Sequence, residues 1–192
     1  MDDLKRGYRK GQAVMEYLIT YGLALFVILI VLAILVAVVL PSLQAPETCQ
    51  FTQPGFACNS KPHAMVSDAD GKVRILFQLD NNQGKGVELI GITCMSTSPG
   101  NIRKSDVPEF EDTVSSTERM MAPGSTRSVG DETSDIKQEI TCLTDDGSSS
   151  LVLPPNSAFK GSIGVVYKFT EDVPGAPSRL AVATVTGNTQ AE

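Results

Sequence analysis

The chain has a single histidine, His63, set beside Pro62 in a polar stretch with no nucleophile motif around it. Acid–base and nucleophilic catalysis need a base held within reach of a second functional group. No catalytic constellation is therefore expected, and His63 is predicted to be solvated in a loop. Neither the G-x-x-x-x-G-K-[ST] nor the G-x-G-x-x-G phosphate cradle occurs. The four cysteines form no C-x-x-C pair, so the usual zinc-knuckle and redox spacings are missing. No N-x-[ST] sequon is present, and ordinary N-linked sugars are not expected; O-linked modification of Ser and Thr is left open. Basic runs are lacking beyond residue 11: from Glu47 onward 12 Lys and Arg face 19 Asp and Glu, a net −7 in a chain of net −6. Binding phosphates requires a basic face, which makes nucleic acid an unexpected partner.

Acidic clusters offer little more. Asp68-Ala69-Asp70-Gly71 lacks the remaining ligands of a calcium loop and is predicted to be a turn. Asp145-Asp146-Gly147, followed by Ser148-Ser149-Ser150, reads the same way, and Glu109-Phe110-Glu111-Asp112 reads as a solvated loop. No cofactor or metal is expected.

What the sequence does have is one long apolar run. Leu23 to Leu40 contains only Leu, Ala, Phe, Val and Ile, and Glu16 is the single charge between Val14 and Leu40. At about 1.5 Å per residue, about 20 apolar residues cross a hydrocarbon layer of about 30 Å, so the run is long enough to span. It has no polar stripe at helical spacing and must be surrounded on all sides by lipid or by other helices. Pro41 is expected to stop the helix. Lys5, Arg6, Arg9 and Lys10 precede the run and no Lys or Arg follows until Lys61, which predicts a cytoplasmic N-terminus and an exported remainder. The run is too long for the apolar core of an ordinary cleaved signal, and Leu43 is a poor cleavage residue. Tyr17 and Tyr21 read as interfacial anchors or helix contacts, and Gly22 as a point of close helix approach.

Glu16 distinguishes this run from a plain anchor. A carboxylate in an apolar helix costs about 2.5–3.5 kcal/mol at mid-membrane, less near the interface, and calls for a partner. A cut before Gln12 would supply one, because the new α-amino group lies four residues away, or opposite on a neighbouring helix.

The segment Lys10-Gly11-Gln12-Ala13-Val14-Met15-Glu16-Tyr17-Leu18, followed by the apolar run, resembles the class III signal peptide of archaeal type IV pilin-like proteins. The resemblance implies cleavage between Gly11 and Gln12 by a prepilin peptidase, with the helix retained. It also implies polymerisation with copies of itself by the pilus assembly machinery, the membrane holding the subunit beforehand. In that scheme Glu16 neutralises an N-terminal amine during docking. Cys49 to Cys58 around Pro54-Gly55-Phe56, Leu79-Asp80-Asn81 and Ile92-Thr93-Cys94 resemble the family more loosely.

Beyond the helix, Cys49, Cys58, Cys94 and Cys142 form an even set on the exported side, where disulfides are expected. Three pairings exist, and the short spacing favours Cys49 with Cys58, leaving Cys94 with Cys142. Val73, Ile75, Phe77 and Leu79 alternate with polar residues as in a half-buried strand, and Asn81 to Gly86 reads as a turn before a second run, Val87 to Cys94. Asp135 to Thr144 is predicted as a third strand, with Ile136, Ile140 and Cys142 on one face. Phe159, Ile163, Val165, Tyr167 and Phe169 share a face of a strand that turns at Val173–Pro177 and returns over Leu180 to Gly187. Met95 to Ser134 is expected to be a surface insertion holding a short strand or helix.

These elements predict an α+β chain: basic leader 1–11, helix 12–41, linker 42–47, and a β-sandwich-like head 48–192. With the resemblance, the expected function is that of a pilin, first membrane-bound and then part of an extracellular filament, with the head exposed for adhesion. The alternatives are a single-pass anchored binding domain and a minor pilin outside the filament body; enzyme activity is not expected.

Overall fold

The apolar run forms one helix, α1 (Asp2–Ser42), in the computed structural model, which describes residues 2–42, 46–58 and 63–192. It runs back through the basic leader, whose Leu, Lys and Arg are good helix formers. It ends one residue past Pro41. Residues 43–45 of the expected linker lie outside the described residues. The chain divides into two units, Met1–Gln44 and Ala45–Glu192.

Among the described residues the second unit has eleven strands, and the expected two-layer sandwich is replaced by one continuous sheet curled into a half-barrel. The cause lies in β3 (Ala64–Ser67). It pairs antiparallel with the start of β4 (Val73–Asn81), Met65 opposite Ile75, and parallel with the end of β11 (Arg179–Ala191), Met65 opposite Thr189. Backbone hydrogen bonding therefore passes unbroken between the halves, where a sandwich would have two separate ladders. One half carries β5 (Val87–Met95), β10 (Ala158–Phe169) and β11 as antiparallel neighbours, and the other carries β4 beside β7 (Thr126–Gly130) and β8 (Ile136–Glu139). The core fills the curl: Ile75, Leu79, Val129 and Ile136 from one half meet Leu89, Ile163, Val165 and Val185 from the other.

The two disulfides join different kinds of neighbours, one linking strands of separate halves and the other linking paired strands. β1 (Thr48–Phe51) pairs with β11, and β2 (Phe56–Cys58) pairs with β4. The Cys49–Cys58 bond thus ties the two halves at the end away from β3. On the other side the chain crosses between the halves at Ile140, whose carbonyl accepts from the Ile75 amide (3.0 Å), and continues into β9 (Cys142–Leu143), parallel to β5. Cys142 stands opposite Cys94 there and is bonded to it. This crossing breaks the predicted Asp135–Thr144 strand into β8 and β9, each serving a different half.

The Met95–Ser134 segment is more than a surface insertion. Its Ile102 and Val107 pack with Val166 and Val182 on the outer face of the sheet, and Phe110 and Val114 join the main core. Gly91 of β5 allows the contact, since a Cβ there would stand 2.0 Å from the Pro108 carbonyl oxygen. The segment then forms the short α2 (Ser116–Arg119) and β6 (Met120–Met121), which pairs with the start of β5.

Candidate functional site

The first candidate surface is α1 itself. Met15–Ala37 is a 23-residue helical stretch long and apolar enough to cross a membrane, about 35 Å at the usual rise, and none of it is buried. Leu, Ile, Val and Phe side chains are exposed around its full circumference, a surface that water cannot accommodate cheaply. Glu16 is exposed near the start of this stretch, and the Thr20 hydroxyl donates to its backbone carbonyl at 2.8 Å, a bond that does not involve the carboxylate. Tyr17 and Tyr21, one turn apart, stack with ring centroids 4.1 Å apart. Gly11 and Gln12, the residues of the expected cut, fall inside α1, and the Gln12 side chain is outside the described residues.

The end of the head where the chain enters is organised by Thr186. Its hydroxyl donates to the Pro46 carbonyl and meets the Thr48 hydroxyl, each at 2.6 Å, and its carbonyl accepts from His63 Nε2 at 2.9 Å. His63 is therefore buried, 6% exposed, contrary to the solvated loop position predicted for it. The strands on either side of it were too short to show in the sequence pattern. Burial pushes the imidazole pKa down, an effect opposed by the hydrogen bond to Thr186 and by the charge of Glu47.

At the opposite end Asn81, fully buried, does comparable work. Its side-chain amide donates to the carbonyls of Lys85 (2.9 Å), Met121 (3.3 Å) and Ala122 (3.1 Å), and its oxygen accepts from the Gln83 amide (3.0 Å). One side chain thereby joins the β4–β5 turn to the β6–β7 turn. In the sequence Asn81 stands out as a turn residue and as part of the Leu79-Asp80-Asn81 segment; the Asn81-Asn82-Gln83-Gly84 string signals the turn but not the distant carbonyls.

The acidic clusters behave as turns. Asp68 Oδ1 accepts from the amides of Asp70 (2.9 Å) and Lys72 (2.8 Å), closing the β3–β4 connection. Asp146 accepts from the hydroxyls of Ser148 and Thr144, which hold its pKa down to about 2. Among the described residues no three His, Cys, Asp or Glu side chains are grouped as a metal site would require. Glu109–Asp112 is not wholly solvated, because Phe110 between its acids is buried.

No protein-family description, curated protein or solved structure matches the chain. An N-terminal apolar helix followed by a disulfide-bonded β domain is compatible with a pilin-like protein.

Proposed function

We propose that the chain is a pilin, a structural subunit whose helix first holds it in a membrane and then packs with copies of itself in the core of an extracellular filament. The observation that carries this reading is the Met15–Ala37 helix, apolar on every side with one carboxylate, Glu16, near its start. Lipid satisfies such a surface in the subunit, and like helices satisfy it in a polymer. Removal of residues 1–11 by a prepilin peptidase would place the α-amino group of Gln12 one turn from Glu16. A charge pair away from water is stable only when both members are present, so the pair opposes helix packing unless the cut has been made. The head, exported and oxidised, is left facing outward, with a role in surface contact and none in catalysis.

Sequencing the mature N-terminus of the exported protein tests the first step, and Gln12 is the expected first residue. Glu16→Ala is expected to leave membrane insertion intact while abolishing filaments recovered from the cell surface. A mature chain beginning near Pro46 would refute the proposal outright. Wild-type protein found only as single anchored copies would make it a membrane-bound binding domain instead.

A further inference from the structure

On the outer face of the head, over the β5–β10 pairing, lies a cavity of about 320 Å³. Ile90 and Val166 line it with apolar surface. Glu88 and Lys168, half-buried, are cross-strand partners in the β5–β10 register and both line the cavity. Arg119 enters from the end of α2, a four-residue helix fixed by reciprocal capping: the Glu118 amide donates to Ser115 Oγ (3.3 Å), and the Glu118 carboxylate accepts from the Ser115 amide (2.8 Å). Lys104 completes the rim and donates to the Ser178 carbonyl at 2.5 Å, with Glu109 beside it in the lining.

The charges of this cavity line one site without pairing to one another. Lys72, Arg74, Lys85, Arg127 and Arg179 each have a carboxylate partner, whereas among the described residues none of the three cations and two carboxylates of the cavity takes part in an ion pair. Among the described residues three guanidinium Nε atoms are buried without a hydrogen-bond partner, those of Arg74, Arg119 and Arg127. Arg74 and Arg127 have carboxylates on their other nitrogens, and Arg119 has none. In a head of net −7, three unpaired cations converge on one concave site whose own balance is +1, three cations against two carboxylates. Such an arrangement favours an anion, and the planar guanidinium suits a carboxylate or sulfate.

We propose that this cavity binds a small hydroxylated anion of the acidic-sugar class. Arg119 and Lys168 hold the acid group, Glu88 and Glu109 accept from hydroxyls, and the C–H face of the ring lies on Ile90 and Val166. The volume suits a ligand of about one ring, since it falls at the small end of the usual range of about 300–1,000 Å³. The site belongs to the head alone and does not depend on whether the chain polymerises.

The full-length chain in detergent micelles, titrated with sodium glucuronate and glucose and followed by ligand-observed NMR, with sodium sulfate read by its displacement of glucuronate, tests the assignment. Glucuronate is expected to bind at least about tenfold more tightly than either glucose or sulfate, a difference of about 1.4 kcal/mol. Arg119→Gln and Lys168→Gln are each expected to weaken glucuronate by about tenfold or more, and Lys160→Gln, an exposed and unpaired lysine elsewhere on β10, to leave it unchanged. No detectable glucuronate binding, or equal binding of glucose, would overturn the site. Sulfate binding as tightly as glucuronate would overturn the role of the carboxylates and with it the sugar, and affinity retained in both cavity variants would place the ligand elsewhere.

Discussion

His63 is the sole histidine, and its ring is buried against the Thr186 carbonyl where the chain enters the head. Its pKa is depressed in the fold, chiefly by burial, so below the unfolded value of about 6.5 the unfolded chain binds the proton more readily. The contribution of His63 is therefore fully present above about pH 6.5 and is lost as pH falls toward the folded pKa, by up to about 1.4 kcal/mol per pH unit. Urea denaturation of the full chain between pH 7.5 and 5.5 is expected to show this decline, and His63→Gln is expected to flatten it. An unchanged slope in that variant would assign the decline to other groups. Asp135 and Asp172 titrate far lower, being held down by hydrogen bonds from Ser128 and Arg179 respectively, and leave this window clear. The sequence announces His63 only as a lone ring next to a proline. Its burial depends on Thr186, 123 residues away, which no local pattern reveals.

Among the elements, the long strands were readable and the short ones were not. β4 shows strict alternation of burial over nine residues, as the spacing of Val73, Ile75, Phe77 and Leu79 requires. β10 and β11 form the hairpin expected from their shared apolar face, turning through Val173–Pro177. β1, β2, β3 and β6 hold two to four residues each, too few for a period to emerge, yet β3 joins the halves of the sheet. The two disulfides have the pairing favoured by the spacing, and their expected contributions differ. They close chain separations of 9 and 48 residues, worth about 2.5 and about 4 kcal/mol in the chain-entropy account. The double variant Cys94→Ser/Cys142→Ser is thus expected to lose more stability in urea than Cys49→Ser/Cys58→Ser. The reverse order would mean that the tie between β1 and β2 matters more to the closed curl than loop length does.

For the whole molecule, the consequence of an all-round apolar helix is association. The exposed surface along Met15–Ala37 far exceeds the few hundred Å² of contiguous apolar patch tolerated by soluble monomers. Light scattering on the purified full chain is expected to show large assemblies in plain buffer and single chains in detergent micelles. Monodisperse single chains without detergent would show that the head shelters the helix, and the packing role proposed for it would fail.

The apolar helix, the acidic character of the remainder and the main strands could be read directly from residue order, because each depends on composition or on a period of a few residues. Contacts between distant residues settled the rest. A single curled sheet forms instead of two layers because β3 finds hydrogen-bond partners on both sides, and backbone pairing carries no side-chain signature. The Arg119 cavity arises in the same way: Glu88, Glu109, Arg119 and Lys168 are scattered over 80 positions, and the close approach of Pro108 over Gly91 helps to bring them to one place.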